Sequence, residues 1–430
     1  MGPLRIGVAG LGTVGAETAR LLQTRAAELS LRAGRDLVLA GVSARDRAKN
    51  RDLALDAVQW FADPVALARD PHIDVVVEVI GGESGPARHA VEAALRAGKR
   101  VVTANKALIA HHGVELAKLA EEQGGSLHFE ASAAGGIPIV KALREGLAAN
   151  RIGKIFGILN GTCNYILTEM ERTGRAFDEV LAEAQAKGYA EADPAFDVDG
   201  MDTAHKLCVL DALAFGMAPA LSGIYVEGIR RIATLDIEFA AEFGYRIKLL
   251  GIGERHPDGV SQRVHPTMVP HGTPLADVSG VFNAVVALGD LVGSSVYEGR
   301  GAGGGPTASA VIADICDAAR TLPLPVFGRP VKSLERPPVL PVETVEGAFY
   351  LRFRVLDRPG VLAGIARTLA DHEISIESMI QRGRSPGEPV HIVMITHEAP
   401  EGAMARALSA VGRGDLVVEE PCRIRIMDTK

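Results

Sequence analysis

Over roughly the first 130 positions the apolar residues fall into two alternating textures. Short β-branched runs at residues 4–9, 37–43, 75–80, 100–103 and 127–131 predict strands. Alanine- and leucine-rich stretches at 16–29, 87–97 and 114–123 lie between several of them and predict helices. Val75, Val76 and Val77 follow one another without a polar break, which suits a strand buried on both faces. Strands of that kind belong to a parallel sheet flanked by helices, the doubly wound α/β pattern.

From about residue 136 to 320 the texture changes. Helices lengthen (177–187, 201–215) and strand candidates at 246–253 and 261–268 are interspersed, predicting a separate α+β domain. A proline-rich passage follows with Pro323, Pro325, Pro330, Pro337, Pro338 and Pro341. Proline blocks helix continuation and stiffens a connection, so this is expected to be a linker or an extended wrap. The remainder reads strand 349–356, helix 360–371, strand 374–381, strand 390–397, helix 401–411 and strand 417–427. That order, βαββαβ, is ferredoxin-like. The expected division is 1–135, 136–320, a linker at 321–347, and 348–430.

Composition narrows the function classes. With 430 residues, 47% apolar and 23% charged, the chain has material for sizeable cores, which excludes disorder as its main theme. A net charge of −7 argues against a nucleic-acid binder and against a polybasic membrane-surface protein. No apolar run reaches the roughly 18 residues of a spanning helix, and the first ten residues lack the pattern of a signal peptide. Cys163, Cys208, Cys316 and Cys422 are far apart without CxxC spacing, which speaks against zinc and a disulfide framework. A cytoplasmic protein with reduced thiols is expected. Glycine is in excess, 48 residues with no repeat, so the positions of these glycines carry information.

The first cluster is Gly10-Leu11-Gly12-Thr13-Val14-Gly15, a GxGxxG directly after a strand and opening a helix. In that setting its glycines serve a tight turn, close approach of backbone to a pyrophosphate, and close helix–strand packing. The helix start at Thr13 and Val14 offers N–H groups and a positive dipole end to the phosphates. This predicts a Rossmann dinucleotide site. The second strand runs out into Gly41-Val42-Ser43-Ala44-Arg45-Asp46-Arg47. Arg45 favours the 2′-phosphate of NADP, because guanidinium binds phosphate well. Asp46 keeps NAD open, and a plain solvated loop is the alternative for both arginines.

Three further segments are dense in reactive groups. Val101-Val102-Thr103-Ala104-Asn105-Lys106 carries Thr103 and Lys106 to the carboxyl end of a strand, where doubly wound sheets bind ligands. Gly188-Tyr189-Ala190-Glu191-Ala192-Asp193-Pro194 and residues 197–206 supply carboxylates and a lysine. Asp202 and Lys206 are spaced i, i+4 on a helix, so they share a face; a surface ion pair is the plain reading. The acidic stretch lacks EF-hand spacing.

With VVTANKALI, ILNGTCNYILTEM, AQAKGYAEADPAFDVDGMDTAHKL and GRGAGGGPTASAVIAD in this order, the chain resembles the homoserine dehydrogenase family over its whole length. Its tail resembles an ACT domain. The resemblance implies a Rossmann domain, an α+β catalytic and dimerisation domain and a regulatory ACT domain. It also implies NAD(P)-dependent interconversion of L-aspartate 4-semialdehyde and L-homoserine, on the route to threonine, methionine and isoleucine. By motif, Lys206 would be the general acid that protonates the nascent alkoxide. Glu191 and Asp202 would hold the substrate's ammonium end, and Lys106 would sit between nicotinamide and substrate. Gly188 and Gly303 would border the cofactor.

The segment from Phe129 to Pro138 resembles a family segment that binds sodium or potassium. Glu130 would give a carboxylate, and Ala133, Gly135 and Ile137 their carbonyls; oxygen-only ligation suits a hard cation. In the tail, Asp357, Gly360 and Val361 lie on the loop where ACT domains bind an effector, L-threonine being the usual one; a purely structural dimerisation module is the alternative. A homodimer or homotetramer is implied. Two rival functions remain to be separated. One is an acylating semialdehyde dehydrogenase with Cys163 as nucleophile; the other is an amino-acid sensor with a relic Rossmann domain.

Overall fold

The computed structural model describes residues 2–320, 324–382, 388–414 and 416–428. Pro323 of the proline-rich passage lies outside the described residues. The chain forms two compact units, each assembled from separate stretches. The first contains residues up to Leu159, then Ala204–Gly223 and Phe282–Pro337; the second contains Asn160–Thr203, Ile224–Val281 and the chain from Pro338 onward.

In the first unit the five expected runs form strands β1 (Leu4–Ala9), β2 (Leu37–Ser43), β4 (Val75–Glu78), β5 (Arg100–Thr103) and β6 (Ser126–His128), and an unexpected short strand, β3 (Gln59–Phe61), joins them. They make one sheet in the order β3-β2-β1-β4-β5-β6, with every pairing parallel. That is the dinucleotide-binding order, and it places the strand reversal between β1 and β4. Leu4, Ile6, Val8, Val75 and Val77 are fully buried and pack in one core with Val311 and Ile315 of the helix Gly304–Arg320. The helix starts at Thr13, as the glycine turn requires, and the stretch expected to be helical at 16–29 breaks into Thr13–Thr24 and Ala26–Ala33. A longer helix, Lys106–Gln123, replaces the one expected at 114–123; the Asn105 side chain accepts the N–H of Leu108 and starts it. The same unit holds an antiparallel trio, Phe282–Gly289 between Ile152–Ile158 and Gly293–Arg300.

In the second unit, Tyr245–His256 and Gly259–Pro270 form a long antiparallel pair. The last strand, Cys422–Ile426, pairs parallel with Gly259–Pro270 and antiparallel with Phe349–Leu356. Pro389–Thr396 and then Ile376–Gln381 complete the sheet. The βαββαβ module therefore has the expected element order, with the helices Val361–Asp371 and Glu401–Arg413, and its sheet continues into a neighbouring pair of strands. Two buried ion clusters fix that continuation. Arg352 Nε donates to Asp236 Oδ1 at 2.7 Å, where Tyr350 also donates at 3.0 Å. Arg425 donates to Glu401 at 2.6 Å and to Glu227 at 2.7 Å. Removing one partner from such a cluster would leave the other charge buried and uncompensated, which is the costly change at a buried pair.

The proline passage is the extended wrap rather than a free linker. Glu335 bridges Met217 in the first unit and Val339 bridges Val260 in the second. Phe327 is buried with its ring 5.6 Å from that of Phe129.

Candidate active site

The glycine turn divides its tasks as the pattern requires. Gly10 has φ +102°, and a Cβ there would meet the Val79 carbonyl at 2.7 Å. At Gly15 a Cβ would fall 1.8 Å from the Gly10 oxygen, so only glycine lets the helix Thr13–Thr24 pass so close to β1. Gly12 is the opposite case: no protein atom lies within 4 Å of a Cβ there. That open face, beside a helix N-terminus with no side-chain cap, fits a pyrophosphate. Val14 is half-buried against the sheet core and Thr13 is exposed. Gly303, at φ +106°, precedes the helix Gly304–Arg320, and a Cβ on Gly304 would lie 3.1 Å from Thr13 Cγ2. The second glycine run thus returns to the first turn.

The loop after β2 is organised. Asp46 accepts the N–H groups of Ala48 at 2.8 Å and Lys49 at 3.2 Å, so its carboxylate closes its own turn. Arg45 is exposed. Arg51, which the sequence pattern did not single out, donates to the Leu11 carbonyl at 3.1 Å inside the glycine turn. Arg47 and Arg51 lie 5.8 and 5.9 Å from the Trp60 ring, a cation–π arrangement.

The carboxyl ends of β4 and β5 are tied together by Glu78, another residue the pattern missed. It is fully buried, accepts the Thr103 hydroxyl at 2.6 Å, and accepts the N–H groups of Ile80 and Gly81. Asn105 then donates to the Gly82 carbonyl at 2.7 Å. Lys106, half-buried, is the first residue of its helix, immediately after this knot. Farther along the helix, His111 packs on His205 with ring centroids 5.5 Å apart. His205 is buried, and its neighbour Lys206 is only 8% exposed. Lys206 Nζ donates to the Leu159 carbonyl at 2.7 Å.

In the second unit, Asp202 is buried and Glu191 exposed, and Gly188 follows the helix Phe177–Ala186 in a left-handed turn. Asp202 Oδ2 accepts from Asn160 Nδ2 at 2.7 Å. The Glu191 carbonyl accepts from Gln185 at 3.0 Å. Cys163 is fully buried, and its Sγ donates to the Asp197 carbonyl at 3.2 Å. A thiol so placed is a packed helix residue, not an accessible nucleophile.

Glu130 is buried, and its oxygens accept the N–H groups of Val140 at 2.9 Å and Lys141 at 2.8 Å. Ala134 (φ +53°) and Gly135 (φ +40°) turn the chain between the buried residues Ala133 and Ile137. Glu130's oxygens are thus already engaged by backbone N–H groups, though a carboxylate oxygen can accept more than one bond and oxygen donors are the type a hard cation takes. The Glu130 N–H is held by Asp314 Oδ2 at 2.8 Å. Asp314 is fully buried, and burial pushes its carboxyl up to about 7, against the opposing pull of Lys141. Its folded state holds the proton more tightly than the unfolded chain, so this group's contribution to stability is lost as pH rises from about 4 to about 7. In thermal melts the Tm of Asp314→Asn is expected to rise relative to that of the native protein as pH goes from about 4 to about 7; a Tm difference that does not change with pH contradicts the assignment.

A cleft of about 610 Å³ in the first unit opens at Asp74, Arg100 and Ser126, the amino ends of β4–β6. It lies at the wrong end of the strands for a dinucleotide. In the tail, Gly360 (φ +92°) caps the helix Val361–Asp371, Val361 is buried, and the Asp357 N–H donates to the Glu388 carbonyl at 3.2 Å. No helix among the described residues is long and apolar enough to cross a membrane.

Comparison with known proteins agrees with this arrangement. Family models described as homoserine dehydrogenase, NAD binding domain, as homoserine dehydrogenase, and as ACT domain match residues 10–130, 138–316 and 349–413. A homoserine dehydrogenase of Neisseria gonorrhoeae is 45% identical, with 99% of each chain covered. The crystal structure of a homoserine dehydrogenase from Thiobacillus denitrificans superposes with a TM-score of 0.94 at 46% identity, covering 99% of this chain and 98% of that one. A hyperthermophilic archaeal homoserine dehydrogenase, solved in complex with NADPH, gives a TM-score of 0.63 at 27% identity, covering 74% of this chain and 97% of that one.

Proposed function

The chain belongs to the homoserine dehydrogenase family and is an oxidoreductase acting on CH–OH groups, and from that premise we propose that it reduces L-aspartate 4-semialdehyde to L-homoserine, reversibly, with NADPH preferred over NADH. Bound nicotinamide supplies a hydride to the aldehyde carbon. Lys206 gives the proton to the oxygen as it becomes an alkoxide, and a positioned cation there offsets the developing charge. Lys106 orients nicotinamide and substrate, Glu191 and Asp202 take the substrate's ammonium group, and Gly188 and Gly303 border the cofactor. The observation that carries the reading is the buried Lys206, its Nζ held by the Leu159 carbonyl.

Support for NADPH comes from Arg45, exposed at the end of β2, and from Asp46, whose carboxylate is spent on its own loop. A monovalent cation at Glu130 and the carbonyls of Ala133, Gly135 and Ile137 would brace the crossover out of β6. The ACT module, through Asp357, Gly360 and Val361, would bind threonine as feedback inhibitor of the pathway to threonine, methionine and isoleucine. The working protein is a cytoplasmic homodimer or homotetramer, with a dinucleotide domain at 1–135, a catalytic domain at 136–320 and the ACT domain at 348–430.

The test is consumption of NADPH and of NADH with aspartate semialdehyde, with and without threonine, in the native protein and in Arg45→Ala. The expected result is loss of NADPH preference in Arg45→Ala through a KM for NADPH raised about tenfold, with the NADH constants unchanged. Equal use of both cofactors by the native protein would refute the preference. Insensitivity to threonine would refute the feedback.

A further inference from the structure

We infer that Asn160 is the positioning residue that aims Asp202 at the substrate's ammonium group, an inference that rests on the assignment of Asp202 to that group. Asn160 caps the helix Gly161–Thr173: its Oδ1 accepts the N–H of Cys163 at 2.7 Å. That bond decides which way the side-chain amide faces, since an oxygen is needed toward the helix and the nitrogen must then point the other way. Nδ2 donates to Asp202 Oδ2 at 2.7 Å and to Asp197 Oδ1 at 2.8 Å. Asn160 is 4% exposed and Asp202 5%, so water competes little for these bonds.

The residue type matters. Both protons of one neutral nitrogen are used on two carboxylates, which fixes them without cancelling their charge. An arginine or lysine would fix them equally well but would compete with the ammonium for the same negative charge. A serine would keep a helix cap and offer a single proton. An aspartate would keep the cap and place a third carboxylate where the donor was. The preceding residue, Leu159, holds Lys206 through its carbonyl, so two consecutive positions serve the proton donor and the carboxylate.

The experiment compares Asn160→Asp, Asn160→Ser and Asp202→Asn in the full chain, reading KM for aspartate semialdehyde, kcat, cofactor Kd and Tm. Asn160→Asp is expected to raise KM about 30-fold, and Asn160→Ser about tenfold, with kcat at saturation within about fivefold and cofactor Kd unchanged. A merely structural cap would move Tm and leave KM alone, and Asn160→Ser keeps the test open if Asn160→Asp does not fold. A raised KM in Asp202→Asn with unchanged KM in both Asn160 variants overturns the positioning role while sparing the Asp202 assignment. An unchanged KM in Asp202→Asn overturns that assignment, and the inference with it.

Discussion

Lys206→Ala is expected to lose about 10³-fold in kcat while its affinity for NADPH stays within about twofold. Lys206 is 8% exposed, on the helix Met201–Phe215, with Nζ donating to the Leu159 carbonyl at 2.7 Å. A cation held that way needs no reorganisation when charge builds on the reacting oxygen, which is where preorganised electrostatics gives its largest effect. Alanine removes both the proton source and the fixed charge. It also leaves the buried Leu159 carbonyl without this donor, a cost of about 1–3 kcal/mol in stability that a thermal melt would register separately. Single-turnover reduction with saturating NADPH isolates the chemical step, and near-normal single-turnover rates would contradict the assignment.

The glycine turn gives the second large effect, and it separates folding from binding. At Gly15, a methyl group would fall 1.8 Å from the Gly10 oxygen, a contact only backbone movement relieves. Gly15→Ala is therefore expected to lower stability by about 3 kcal/mol or more, and to lose cofactor binding along with the turn. At Gly12, the added methyl group meets no protein atom within 4 Å. Gly12→Ala is expected to melt within a few degrees of the native protein, yet to bind NADPH about 100-fold more weakly because the methyl occupies the phosphate's approach. Calorimetric melts and fluorescence titration on the two variants make the contrast directly. Tight binding by Gly12→Ala would place the pyrophosphate elsewhere.

What the sequence made legible is what depends on near neighbours. The three glycines act within six positions, and the central strand Val75–Glu78 announces itself by an unbroken run of valines. The βαββαβ tail is read from the order of its elements. The missed residues act across long separations. Glu78 meets Thr103 25 positions on, Asn160 meets Asp202 42 positions on, and Asp314 meets Glu130 from 184 positions away. No periodicity encodes such pairings. The short strand Gln59–Phe61 escaped for a different reason: three residues are too few to show alternation. The proline passage left linker and wrap open because proline suits both, and only the bridges at Glu335 and Val339 choose between them.

The central claim is hydride transfer to an aldehyde with no acyl intermediate. Its most direct test is reduction of L-aspartate 4-semialdehyde by the full chain with NADPH deuterated at the transferring C4 position, in phosphate-free buffer, with the product analysed by mass spectrometry. The expected product is homoserine carrying one deuterium at its alcohol carbon, formed equally well when phosphate is added. Unlabelled product, or turnover that appears only with phosphate and forms NADPH from NADP, would contradict it.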